Sequence, residues 1–460
     1  MKQRSAPRRE GRWHEAACLL LTLLALGPLV TVAFPWGHDT VAHLFRVAET
    51  ARALGEGVLY PRFLPDAFGG LGGPILDFNP VLPYYLPALL VLLGSGPIAS
   101  LKIAAGATVV AAAIAAALFA RPHAGRAGAA ITGLAYVYLP YRIADVYVRM
   151  AYSELFAMAA LPLALASTRR AVRHPSPRAV GIAAAVTSLI PASHFPSTVI
   201  GLPLIVVYAL FSARRGARAR GMLAAAASLT LALGLAAFVW IPALADLAGT
   251  HYEEGARGPD WYGDHFLEAP QLFSTTWGFG ASIPGTADHM SFQIGWAHVA
   301  ALAAAIAAAA LTRRGRPAVG FAALLAVGGS TLTLTVTRPL WDRLHVLQNV
   351  QFPWRFLMIA GLGTSLAAGM VCAIVASARV RLAAQISLAA LLVAACVPYL
   401  VARQGSGSDA DFTREAMRSK YFGDPKFQPK EVERPHFLPD GPRAAIVDAA
   451  GDPLPGSEAR

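Results

Sequence analysis

Charge is what this chain has least of. Only 14% of its 460 residues are Asp, Glu, Lys or Arg, against 55% that are hydrophobic, whereas a soluble domain carries about a quarter charged residues. That scarcity excludes an ordinary soluble fold. Repeated apolar runs of about 20 residues mark membrane-spanning helices, and a closed β-barrel would lack them. Cysteine is scarce too: Cys18, Cys372 and Cys396 all fall inside apolar segments, which excludes a disulfide framework and a cysteine-based metal cluster. There is no phosphate-binding glycine loop, no GxSxG, no HExxH and no CxxC, so the familiar nucleotide-hydrolase, serine-esterase, zinc-protease and redox motifs are absent. The net charge of +12 does not point to nucleic acid. The arginines gather in short turns, at Arg169, Arg170, Arg173 and Arg178, at Arg214, Arg215, Arg218 and Arg220, and at Arg313, Arg314 and Arg316, which is the positive-inside pattern that orients helices.

What is present is a series of apolar segments. A basic lead (Lys2, Arg4, Arg8, Arg9, Arg12) precedes an apolar run over 16–34. The run is long for a signal-peptide core and no small-x-small site follows, so it reads as an uncleaved first helix with a cytoplasmic N-terminus. Further spans are expected at 97–120, 127–141, 151–167, 179–193, 197–212, 221–244, 293–311, 317–336, 355–376 and 384–402. These make an all-α polytopic membrane protein with about eleven crossings. Residues 81–94, interrupted by Pro83 and Pro87, would reach only about 21 Å against a 30 Å hydrocarbon core, so they are expected to lie along the membrane. The domain plan is a cytoplasmic 1–15, a transmembrane unit 16–402 with a first outer loop at 35–96, and an extracytoplasmic, partly disordered tail at 403–460. A small ordered appendage is conceivable around Tyr421–Leu438. The localisation this implies is a bacterial inner membrane.

The chemistry concentrates in that first outer loop. Asp39 heads an apolar-periodic run closed by Gly55, which reads as a short amphipathic helix capped by Asp39. Asp39, His43 and Arg46 are spaced to share one face, and His38, Arg62 and Asp77 lie near by in sequence. On the same outer side come YRIADVYVRMAYSE, with Arg142, Asp145, Arg149 and Glu154; His194 in the turn SHFPS; and Gln351, Trp354 and Arg355 in QFPWRF. Each also has a plain structural role open to it: helix cap, ion pair, interfacial anchor or turn residue. Charged groups near helix ends otherwise face a cavity or one another, because exposure to lipid costs about 2.5–3.5 kcal/mol near a helix centre. Arginines suit lipid phosphate through paired contacts, and a carboxylate suits the role of general base toward a hydroxyl. His38 and His43 have no third ligand at a recognisable spacing, so no metal is expected.

The run HDTVAHLFRVAETARALGEGVLYPRFLPDAFGGLGGPILDFNPVLPYYL resembles the first outer loop of the bacterial 6-pyruvoyl-tetrahydropterin synthase-related membrane proteins. LPYRIADVYVRMAYSELFAMAALPLAL, SHFPS and QFPWRF resemble that family's later motifs in the same order, over about residues 16–376. The zinc-binding histidines of the soluble synthase are not found. The layout also resembles the GT-C class of polytopic glycosyltransferases, with NPVLPYYL standing where that class has a Pro-Pro-Leu-Tyr-Tyr-like entry, although no Asp-x-Asp pair is present. The resemblance implies a polyprenyl-phosphate-linked sugar donor, an extracytoplasmic glycan, lipid or protein acceptor, and Asp39 as the acidic catalytic residue. No soluble cofactor is implied. The rival reading is a lipid-linked glycan transporter or a non-catalytic assembly protein.

Overall fold

A computed structural model describes residues 10–252, 261–420 and 422. The first helix, α1 (Glu10–Leu24), is followed by a helical turn, Gly27–Thr31. The first loop then forms α2 (Thr40–Gly55), with Asp39 at its N-cap position. The segment over 81–94 is a short turn followed by α3 (Tyr85–Leu92), which at about 12 Å is far too short to cross a bilayer.

The expected spans 97–120 and 127–141 are one trace, α4 (Pro97–Val137), broken at Gly125. Gly125 has φ 67° and ψ −172°, a conformation open almost only to glycine. The next segment, expected as an outer loop over 141–150, is instead helical and buried. A turn at Pro140–Ala144 leads into a π-helical turn at Asp145–Arg149, because Pro140 starts a helix well and Ile143, Val146 and Val148 bury their side chains. Then follow α5 (Tyr152–Arg173), α6 (Pro177–Ser188) and α7 (Phe195–Ser212). The span expected at 221–244 is two helices, α8 (Arg218–Leu235) and α9 (Ala237–Leu247), bent by 64°. After the 261–292 loop come α10 (Trp296–Thr312), α11 (Arg316–Leu332), α12 (Leu357–Ile374) and α13 (Ala378–Cys396).

By length and composition, five of the described helical segments can cross a membrane, or six if the bent pair counts as one. Eleven crossings would require the shorter helices to cross as well. The central element is α12, whose span is 89% buried. A Cβ on Gly369 would lie 2.4 Å from the Gly128 carbonyl oxygen, and one on Gly363 would lie 2.6 Å from that of Ala322. Glycine therefore lets α12 approach both α4 and α11 closely.

The described part of the tail belongs to the fold. β1 (Pro35–Trp36) pairs antiparallel with β2 (Arg403–Gln404). Asp409 accepts a hydrogen bond from the Ile98 amide at 2.9 Å, which satisfies a free N–H at the start of α4. A last helix, α14 (Arg414–Arg418), lays Arg418 against Asp66 of the first loop at 2.7 Å. The appendage expected around Tyr421–Leu438 lies outside the described residues apart from Phe422, which stacks on Phe45 at 4.7 Å.

Candidate functional site

The first loop is held against the core by backbone pairing. His38 and Asp39 donate their amides to the carbonyls of Val148 and Arg149 at 3.1 and 2.8 Å. Gly37 makes this approach feasible, since a Cβ there would meet Met150 at 2.9 Å. Met150 itself adopts φ 51°, and Gln351 φ 65°. Two non-glycine residues in the left-handed region therefore flank one place, as strained backbone often does at functional sites.

That place is a cavity of about 890 Å³. It brings together His38, Asp39, His43, Arg46, Arg149, Glu154, His194, Gln351, Trp354 and Arg355, from four distant parts of the chain. The α8–α9 bend supplies an apolar wall with Leu233, Trp240 and Leu244. Arg62, Asp77, Arg142 and Asp145 do not line it. Arg62 binds Asp77 directly and reaches Asp246 of α9 at 3.5 Å, tying the loop to the bend. Arg142 is buried over the Tyr136 ring at 4.3 Å, with no hydrogen bond from its guanidinium among the described residues. It does not pair with Asp145 in the way its spacing suggests.

The charges in the cavity fall into two groups. Glu154 is buried and accepts from Arg149 at 3.0 Å, from Arg355 at 3.3 Å and from the Tyr141 hydroxyl. Arg149 also binds Asp145, so two carboxylates balance two arginines. Trp354 lies under Arg149 at 4.6 Å and stacks on Phe352 at 4.8 Å. Arg355 further donates to the Val350 carbonyl at 2.6 Å and to the Gln351 amide oxygen at 3.0 Å.

The second group surrounds Asp39. Its carboxylate caps nothing and makes no hydrogen bond or ion pair among the described residues, so the expected capping role is absent. One turn on, His43 Nε2 accepts from the Tyr152 amide at 3.2 Å. The ring hydrogen therefore sits on Nδ1 and is donated to the Tyr84 hydroxyl at 2.8 Å. Tyr84 also accepts from Arg46 at 3.1 Å, which leaves its own hydrogen for Ser153 at 3.2 Å. Burial, then the nearby Arg46, holds His43 well below the usual histidine range, so it is a neutral group that orients Arg46. Arg46 is the one cavity arginine with no carboxylate partner among the described residues, and it lies on the same helix face as Asp39.

His194 shares its Nδ1 with the Ser197 hydroxyl at 2.7 Å at the head of α7; burial, then Arg355, pushes it down to about 3. His38 bonds the Phe279 carbonyl at 3.2 Å, anchoring the loop around 279 at the cavity rim. Among the described residues, no group of three His, Cys, Asp or Glu side chains is placed to hold a metal ion. Sequence reasoning missed Tyr84, Ser153 and His265. Tyr84 lies in the NPVLPYYL stretch, but its aromatic neighbours gave it no distinguishing mark. His265 faces the same cavity from the 261–292 loop, where no periodicity guides the eye.

The fold is similar to that of arabinofuranosyltransferase AftD from Mycobacteria, with a TM-score of 0.50 and 17% identity over 87% of this chain and 27% of that one. The Archaeoglobus fulgidus oligosaccharyltransferase, tethered with an acceptor peptide, matches at TM-score 0.48 and 13% identity, over 90% of this chain and 56% of that one. ArnT from Cupriavidus metallidurans bound to undecaprenyl phosphate matches at 0.37 and 13%, over 79% and 77%. The chain thus spans only 27% and 56% of the first two structures' lengths. No protein-family model and no curated protein matches the sequence. The resemblance to the 6-pyruvoyl-tetrahydropterin synthase-related membrane proteins therefore rests on the sequence motifs alone. The likeness to AftD gives the architecture: a GT-C-like, all-α polytopic membrane fold.

Proposed function

We propose that this protein is an integral membrane glycosyltransferase of a bacterial inner membrane. It would move a sugar from a polyprenyl-phosphate donor to an extracytoplasmic hydroxyl acceptor. One observation carries the reading: Asp39, whose carboxylate makes no hydrogen bond or salt bridge among the described residues and lies in the field of Arg149, faces the same cavity as Arg46, which has no carboxylate partner there, beside an apolar wall at the α8–α9 bend. A carboxylate with no hydrogen bond to satisfy is available as a base, an arginine without a carboxylate partner has donors for phosphate oxygens, and the apolar wall suits a lipid carrier. In the proposed step the Asp39 carboxylate takes the acceptor's hydroxyl proton as that oxygen attacks the anomeric carbon. The bond from that carbon to the phosphate oxygen breaks, polyprenyl phosphate leaves with the electron pair, and the configuration inverts. Arg46 meets the developing phosphate charge, while Arg149 and Arg355, balanced by Asp145 and Glu154, shape the opposite wall. The fold shared with an arabinofuranosyltransferase makes sugar transfer the reaction class to test, by analogy of architecture.

The test is transfer from labelled polyprenyl-phosphate sugars by membranes carrying wild type or Asp39→Asn. Loss of a general base lowers turnover about 10²–10⁴-fold while donor binding persists. Equal transfer by the variant removes Asp39 from the mechanism. Donor binding by wild type with no transfer to any acceptor favours a lipid-linked glycan transporter.

A further inference from the structure

A second cavity lies at the far end of the bundle. Between Glu154 and Asp246 the chain contains no Asp or Glu, yet it contains eight arginines. Three of these, Arg170 in the last turn of α5, Arg178 in the first turn of α6 and Arg220 in the first turn of α8, converge with His174 around a cavity of about 540 Å³. All three side chains are exposed, and none makes a hydrogen bond or ion pair among the described residues. Arg170 lies sixteen residues along α5 from Glu154, about 24 Å at 1.5 Å per residue. The two cavities therefore sit apart by most of the roughly 30 Å thickness of a membrane core.

The positive-inside rule accounts for arginines at this level but not for their convergence on a concavity. Two features give the cavity a chemical preference. The positive ends of α6 and α8 open at it against the negative end of α5, which leaves a net helix-end field that favours an anion. One turn beyond Arg178 and Arg220 is an exposed aliphatic side chain: Ile182, four residues after Arg178, is 43% exposed and lines the cavity, and Leu223, three after Arg220, is 71% exposed. Each helix thus presents charge at the level of a phosphate and apolar surface at the level of the acyl chains. Basic pockets between helices at this level suit anionic lipid headgroups.

We infer that Arg170, Arg178 and Arg220 form a binding site for the phosphate diester of an anionic phospholipid. The site is independent of the sugar-transfer cavity, and its test does not use transfer activity. The full chain is purified in a zwitterionic detergent and its thermal unfolding is followed while phosphatidylglycerol, phosphatidylcholine or inorganic phosphate is titrated. Phosphatidylglycerol raises the transition temperature saturably, whereas the other two leave it within error. Arg170→Gln, Arg178→Gln and Arg220→Gln together weaken the apparent affinity about a hundredfold, about fivefold per arginine. The control Arg121→Gln, Arg314→Gln, Arg379→Gln removes the same charge from exposed positions elsewhere and retains the affinity of wild type. If the triple variant unfolds early without lipid, Arg178→Gln alone, about fivefold weaker, replaces it. Equal loss of affinity in the control, or an equal response to phosphatidylcholine, overturns the site. A response to inorganic phosphate as large as that to phosphatidylglycerol overturns the lipid as its ligand.

Discussion

At the scale of single residues, the cavity is built from charges that are already spoken for and two that are not. Glu154 serves two arginines and a tyrosine from the inside of the protein, so its replacement leaves cationic groups buried without an anion. Glu154→Gln is expected to lower stability by about 3–5 kcal/mol; an unchanged thermal transition would show that the network is dispensable. His43 gives a pH-dependent counterpart. Its folded-state value lies below the ordinary 6.5, so the unfolded chain takes up a proton first as pH falls. Stability is therefore complete above about pH 6.5 and declines below it, at about 1.4 kcal/mol per pH unit. After burial, the positive fields of Arg46, His194 and Arg149 also disfavour imidazolium, while Tyr84 and Tyr152 face the ring as neutral hydroxyls and Asp39 lies one turn away on the same helix face. As pH falls from 6.5 to 5, wild type should lose more stability than His43→Gln, read from denaturant midpoints; parallel curves would contradict the assignment. Asp39, His43 and Arg46 were legible in the sequence because helical spacing alone puts them on one face. Arg142 and Arg149 were not separable that way. The π-helical turn between them breaks the helical register, so one lies in the core and the other at the cavity.

At the scale of elements, helices set by clear punctuation were readable, and those set by a single backbone conformation were not. Asp39 and Gly55 bracket α2, and the prolines of 81–94 keep α3 short. The bend between α8 and α9 falls at Ala236 within an unbroken apolar run, where hydropathy has no contrast to offer. It is sustained by Trp240, whose indole donates to the Leu233 carbonyl at 2.9 Å, a group that the broken helix would otherwise leave unpaired. The same wall that hides the bend from a hydropathy plot gives the cavity its apolar side. The close packing of α12 was equally hidden, because glycines in an alanine-rich helix look like composition until the neighbouring backbone is seen. Gly369→Val would drive side-chain atoms into the Gly128 carbonyl and the Thr132 hydroxyl. Overpacking of this kind costs about 1–3 kcal/mol or more. The expected outcome is a lowered transition temperature that the smaller Gly369→Ala only partly reproduces; a variant as stable as wild type would mean that α4 and α12 can separate without penalty.

At the scale of the whole molecule, the chain's last described segment closes over its first loop. β2 pairs with β1 immediately before His38 and Asp39, Asp409 caps α4, and α14 brings Arg418 and Arg414 to Asp66. Composition alone left order in this tail open, as a partly disordered segment, since proline and charge usually mark chain that cannot bury enough surface to order itself. Here the surface is borrowed: Phe412 and Met417 are buried in the cluster that holds the first loop, and the Phe68 amide donates to the Phe422 carbonyl at 2.9 Å. Asp66 is fully buried, and without the two tail arginines its remaining cationic partner among the described residues is Arg52, at 3.5 Å. Replacing both Arg414 and Arg418 by Ala should therefore cost about 1.5–3 kcal/mol. Because both of these ion pairs join the tail to the loop, the cost should be local. Backbone hydrogen exchange should speed up over 62–73 and 403–420, while α12, at the centre of the bundle, keeps its protection. Sugar transfer should fall with it, since the loop that loosens is the one that carries Asp39 and Arg46. Faster exchange spread evenly through the bundle, or none at all in the loop, would show that the tail does not hold the site in place.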